Sequence, residues 1–301
     1  LQAARLRSNF LTNLLDRMSA KVEAVPGGES SEQMLQPKAR RPRALEIRHG
    51  ERGQLEVTVS PETLRMYAYG LFGLLVLTCF ALTKGFADVD YDKTRIFRIF
   101  GYNNVCVYLD YPPAIHVAGY MWVLFLVPWC GYLGTFWIRA RAKSAAGLLP
   151  ERAMRCFTWL TFFEANSAFY FIHVFVNGPE ISGLSMHMHP FTIFIVSIFT
   201  MSLKEAWYFI VCEELTPREK LYVRVAVAVH LALMVNKVIT QINAMLYSQG
   251  RHLWKPDHPT ARVVGRVLDP LWTLFVILVP VFSAFALQLK IADRVRVNFE
   301  F

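Results

Sequence analysis

Four ionisable side chains, Glu164, Lys204, His230 and Lys237, stand inside long apolar runs of the sequence. A charge in hydrocarbon costs about 2.5–3.5 kcal/mol even on lenient insertion scales, so such residues are kept for pairing, proton movement or substrate contact. Counted at about 1.5 Å per residue from the basic helix ends, Glu164 lies roughly 12 Å deep, Lys204 roughly 10 Å and His230 about 18 Å. An ion pair between Glu164 and Lys204 is therefore expected, with His230 near it. The favoured role is a polar clamp between packed helices; the functional alternative is a proton path or polar substrate site. Lys237 falls near the middle of its run. His230, Met234, Lys237 and Gln241 share one helical stripe, and Asn236 and Asn243 form a second. A helix polar on two faces is expected to be central in the bundle or covered by another subunit.

Histidines suggest a second place for chemistry. His116, His173, His187 and His189 fall at the ends of apolar runs, where alternation of the chain brings all four to one surface. Imidazoles of this number can ligate copper, zinc, iron or haem, which makes these four the candidate metal or haem ligands. Only Glu180 offers a carboxylate in the segment 177–189, so capping and loop hydrogen bonds are the favoured role. The five cysteines contain no CxxC pair and are expected to be buried thiols. Neither a Gly-rich phosphate loop, nor GxSxG, nor HExxH occurs, which leaves nucleotide and standard hydrolase chemistry without an anchor.

The elements that must position these groups follow from composition. Of 301 residues, 54% are hydrophobic and only 18% charged, against about 25% charged in soluble domains. The mean hydropathy is +0.31. The apolar residues are gathered into runs of about 20, the length that spans a bilayer as a helix. The expected fold is an all-α polytopic membrane protein with six transmembrane helices at 64–83, 115–138, 156–177, 190–211, 218–247 and 271–290. Ser60-Pro61, Thr216-Pro217-Arg218-Glu219 and Asp269-Pro270 read as helix starts, and Pro190 as the opening of the fourth helix. Pro128 and Pro280 should kink the second and sixth helices.

Three parts are expected: a basic extramembrane arm over 1–60, the transmembrane domain over 61–293 and a tail over 294–301. Within the arm, 1–18 reads as a helix, 24–43 as a linker, and 44–48 with 54–59 as a β-hairpin. Six spans place 21 lysines and arginines on one side against 8 on the other, which puts both termini on the positive side, matrix or cytoplasm. Arg139, Arg141, Lys143 and Arg224 on that side are candidate contacts for anionic lipid such as cardiolipin. A bound phospholipid is expected rather than nucleic acid.

The first residue is Leu, and the acid-poor, Arg-bearing opening has the composition of an organellar presequence end, so a mitochondrial inner membrane is expected. The leading functional expectation is an accessory, structural subunit of an energy-transducing membrane complex, of respiratory-chain or ATP-synthase type, without catalytic activity of its own. It rests on an arm that cannot fold alone, polar groups without a mechanistic pattern and no internal repeat. The alternatives are a redox protein binding haem or metal through the histidines, and an ion or small-solute channel or transporter.

Overall fold

A computed structural model describes residues 45–49, 55–178, 184–290 and 295–299 of the chain. The helix and linker expected over 1–18 and 24–43 lie outside the described residues, as does Glu180. The order of elements is β1 (Leu45–His49), β2 (Leu55–Val59), α1 (Pro61–Phe86), α2 (Arg95–Phe100), a 3-10 turn (Val105–Tyr108), α3 (Ala114–Ala145), α4 (Glu151–Tyr170), α5 (His173–Val176), α6 (Leu184–Cys212), α7 (Pro217–Ser248), α8 (Pro259–Lys290) and β3 (Val295–Phe299).

Five of these helices, α1, α3, α6, α7 and α8, are long and apolar enough to cross a membrane by length and composition. They make the chain a helical integral membrane protein. The third expected span, 156–177, departs from that standard. It is divided into α4 and the single turn of α5. Helix α4 carries Glu151, Arg152, Arg155, Glu164 and Asn166, and it is not among the helices apolar enough to cross a membrane by length and composition.

Local chemistry fixes several boundaries. At the start of α1 the Ser60 hydroxyl accepts the Thr63 N–H at 3.4 Å, and Pro61 occupies the first turn, where its missing N–H costs nothing. Thr216 and Glu219 close a reciprocal capping box at α7. Two expected starts are corrected. Helix α6 begins at Leu184, with Pro190 inside it, and α8 begins at Pro259, with both Pro270 and Pro280 inside. Asp269 is thus helical rather than a cap. A helix can run through proline at membrane depth because neighbouring helices and hydroxyl side chains take up the freed backbone groups.

The long helices form a ring in which each packs chiefly on its neighbours in the chain, and α8 returns to α1. Between α1, α3, α4 and α6 lies an aromatic core centred on Trp122. Its ring lies 4.3 Å from Phe171, 4.5 Å from Phe125 and 5.1 Å from Phe194, and its indole N–H donates to the Ala168 carbonyl at 2.9 Å. Nearly all of its surface is removed from solvent without leaving the one polar atom unmatched.

Helix α7 lies at the periphery instead of the centre. It buries His230, Lys237, Gln241, Asn243 and Ala244, and exposes Leu221, Tyr222, Val225, Val229, Val235 and Ile239. Its His230, Lys237, Gln241 and Asn243 are used inward, so α7 is not the central helix that its two polar stripes suggest.

Outside the helices, β1, β2 and β3 pair as a three-stranded antiparallel sheet in that order. The two strands expected over 44–48 and 54–59 are β1 and β2, and β3, far along the chain, adds a third that local pattern does not announce.

Candidate functional site: buried ion pairs and an apolar cleft

The buried Asp, Glu, Lys and Arg side chains of the described helices sort into three sets. Nearest the start of α1, Arg139 Nη1 donates to Glu62 Oε1 at 2.9 Å, Arg65 Nη2 reaches Glu205 Oε2 at 2.8 Å, and Arg65 Nη1 stands 3.8 Å from Glu62 Oε2. The Tyr132 hydroxyl donates to Glu205 Oε1 at 2.6 Å. All four charged residues are buried, and two cations face two anions. The Arg139 guanidinium also lies 4.9 Å from the centre of the Tyr208 ring, a cation–π contact strengthened by the dry surroundings. The quartet ties α1 to α3 and α6.

In the second set Lys204 on α6 pairs with Glu164 on α4 and donates to Thr161 Oγ1 at 2.9 Å. In the third, Lys237 on α7 pairs with Asp269 on α8, and the second oxygen of Asp269 accepts the Val105 N–H at 3.3 Å. Lys237 lies 5.2 Å from the Phe191 ring and 5.3 Å from Trp272. Each pair joins two different helices, and each partner compensates a charge that hydrocarbon cannot solvate.

The expected pair of Glu164 and Lys204 is therefore present, but His230 is not part of it. His230 Nδ1 meets Ser202 Oγ at 3.0 Å, between the Phe199 and Phe275 rings. Ser202 and Lys204 are at nearly one level of α6 and point to different neighbours. Asn243, from the second polar stripe, clasps the loop after α7. Its Oδ1 accepts Leu253 N–H at 2.7 Å and Trp254 N–H at 3.2 Å, while its Nδ2 donates to the Trp254 carbonyl at 3.1 Å.

The four histidines are not gathered. His116, His173 and His189 are exposed, whereas His187 is buried, its Nε2 3.7 Å from Asp110 Oδ1 and its Nδ1 3.2 Å from the Val174 carbonyl. Among the described residues, no three His, Cys, Asp or Glu side chains lie close enough together to hold a metal ion. The cysteines are free thiols; Cys79, Cys106 and Cys212 are buried and Cys156 is exposed.

Of the four candidate lipid contacts, Arg139 is corrected. It is 1% exposed and held by Glu62, because a cation at that depth binds the carboxylate the next helix provides. Arg141 pairs with Glu151 at 3.3 Å on the surface, Lys143 lies 3.7 Å from Glu213, and Arg224 is exposed on α7.

Glu62, Arg65, Glu205 and Asp269 were not anticipated as site residues. Glu205 adjoins Lys204 within an apolar run, which was a usable signal. Glu62 and Arg65 fall in the first turn of α1, where charges ordinarily mark an exposed end. Asp269 precedes a proline and reads as a cap.

A shallow cleft of about 80 Å³ opens between α6, α7 and α8, with Arg65, Ser202, Glu205 and His230 among its lining residues. No known protein family, curated protein or solved structure matches the chain. The class that fold and site define is a helical integral membrane protein with its buried ions paired between helices.

Proposed function

We propose that the chain is a structural subunit of a larger, energy-transducing membrane assembly, without catalytic activity of its own, in an organellar inner membrane. The observation that carries the structural reading is the use of buried ions to join helices. Arg139, Glu62, Arg65 and Glu205 link α3, α1 and α6; Lys204 and Glu164 link α6 to α4; Lys237 and Asp269 link α7 to α8. A transport role for Glu164 and Lys204 would need one of them to exchange partners or meet water, and their side chains are 0% and 1% exposed.

In this reading the membrane is crossed six times, with both flanks of the helical domain on the basic side. The pairing of β2, just before α1, with β3, just after α8, supports an even number of crossings. The sixth crossing is then α4 with α5. Its residues meet α3 and α6 along the whole length, from Trp137–Thr158 and Phe157–Trp207 to Trp122–Ala168 and Phe171–Phe194. Its outer face carries exposed Trp159, Phe162 and Phe169, and the Asn166 amide is satisfied by the Phe162 carbonyl at 2.7 Å. Arg141, Lys143 and Arg224 remain the contacts for anionic lipid on that side.

The test is native size. Extracted from its own membrane in mild detergent and detected on a native gel, the chain is expected at many times 34.6 kDa, together with other subunits. Migration as a monomer or small homo-oligomer overturns the assembly.

A further inference from the structure

A larger cleft, of about 750 Å³, lies where α7 ends and α8 begins, on the surface opposite the β-strands. That volume is within the range of ligand sites. Its floor is closely fitted. Arg262, in the first turn of α8, donates from Nε to the Gly101 carbonyl at 2.9 Å, and its guanidinium lies 5.5 Å from the centre of the Phe97 ring. A Cβ on Gly101 would run into the Pro256 carbonyl oxygen and fall 2.9 Å from Arg262 Cγ, so the turn at 255–258 packs against the same point. That turn is closed by the His258 N–H, which donates to the Lys255 carbonyl at 3.0 Å.

Charged side chains of both signs line this cleft: Arg98, Lys255 and Arg262, with Asp92 and Asp257. Arg98 adjoins Phe97, and Lys255 and Asp257 flank Pro256, which gathers these three around the fixed Arg262. Among the described residues none of the cleft's charged side chains is in an ion pair, whereas cations and carboxylates between the helices meet directly. Charge then selects the ligand. An anion alone would meet Asp92 and Asp257, and a cation alone would meet Arg98, Lys255 and Arg262. A zwitterion answers both signs. With Nε committed to Gly101, Arg262 keeps its two Nη groups as a planar fork, a geometry that takes phosphate. Asp257, on the turn packed beside it, supplies a carboxylate for an ammonium. The Tyr247 ring lines the same cleft, and aromatic rings favour ammonium groups.

We propose that this cleft binds a phosphate–ammonium zwitterion, the chemistry of an ethanolamine phospholipid head or of its soluble glycerophospho form, with the phosphate at Arg262 and the ammonium at Asp257. This does not depend on the assembly proposed above, since the site is built from one chain.

Native mass spectrometry of the full-length protein in neutral detergent tests it, using short-chain phosphatidylethanolamine and, for comparison, phosphatidylglycerol with the same chains, which has the phosphate but no ammonium. Phosphatidylethanolamine is expected to bind saturably and several-fold more tightly than phosphatidylglycerol. Glycerophosphoethanolamine, the head without chains, distinguishes the sources: its binding would show that a soluble zwitterion suffices, and its failure beside bound phosphatidylethanolamine would make the bilayer the source. Either result keeps the proposal. Arg262→Met is expected to weaken both lipids about tenfold, through loss of the charged hydrogen bonds to phosphate. Asp257→Asn, at an exposed side chain, is expected to bring phosphatidylethanolamine down to the level of phosphatidylglycerol without weakening the latter, a change of selectivity that a merely structural role would not produce. Should Arg262→Met fail to fold, Asp257→Asn decides alone. Equal or tighter binding of phosphatidylglycerol, binding without saturation, or a preference undiminished in Asp257→Asn overturns the proposal.

Discussion

At the scale of residues, the protein solves one problem repeatedly: an ion in a place that water does not reach. Lys204 and Glu164 illustrate the energetics. Removing one partner of a buried pair leaves an uncompensated charge and costs about 3–5 kcal/mol, whereas replacing both by neutral groups of similar size is often close to neutral. Glu164→Gln and Lys204→Met are therefore each expected to destabilise the protein by about that amount, and the double variant by much less. Denaturation of the purified protein, read as a double-mutant cycle, checks this; additive losses would show that the two side chains do not act as a pair. On the structural reading, proteoliposomes carrying the double variant keep whatever ion flux the unmodified protein shows. This pair was legible in the sequence because both residues interrupt apolar runs at matching depth. The quartet of Arg139, Glu62, Arg65 and Glu205 was not, because three of its members stand within a turn or two of helix ends, where a charge ordinarily reaches solvent or headgroups.

At the scale of elements, the loops on the surface opposite the β-strands are fitted closely to the helices. Gly265 on α8 receives the Tyr102 ring, and a Cβ there would fall 2.2 Å from Tyr102 Cε1. Tyr102 is buried, its phenol is hydrogen-bonded with Thr240, and burial pushes it up to about 12, so it stays protonated at any physiological pH. Gly265→Ala is expected to displace this ring and cost about 1–3 kcal/mol, the range for overpacking a filled site. A thermal-unfolding comparison with Gly70→Ala, where a Cβ meets nothing within 4 Å, separates that clash from any general effect of replacing a helical glycine. Equal melting temperatures would mean that Tyr102 does not occupy this notch. Gly101 at φ +74 turns the chain out of α2 and lets the Pro256 carbonyl approach; sequence alone marks it only as one glycine among 16.

At the scale of the whole molecule, closure of the ring is the decisive feature. Helices α1 and α8 pack together, and β2 and β3 continue that contact beyond the helices in a register that sets Val57 opposite Val297. Cysteines introduced by Val57→Cys and Val297→Cys are expected to form an intramolecular disulfide under mild oxidation in membranes, seen as a mobility shift reversed by reductant. Shifting the second cysteine to Arg296 or Asn298 places it on the other face of the strand and is expected to lower the yield. Absence of cross-linking in the paired variant would remove the strand pairing and, with it, the main support for an even number of crossings. Such closure depends on contacts between residues more than 200 positions apart, which no local pattern announces.

Helical membrane character, the places of most long helices and two of their caps can be read along the chain, because hydropathy over about 20 residues and capping chemistry are local properties. The same reading marks Glu164 and Lys204, since an ion in an apolar run must find a partner. Which partner each ion takes emerges from the packing of the helices. Lys237 turns to Asp269, Arg139 to Glu62 instead of lipid, and His230 to Ser202 at the edge of a cleft. The physical reason is that a buried charge or hydrogen bond is completed by whichever group packing brings within about 3 Å, and packing is set by the closed ring of helices as a whole.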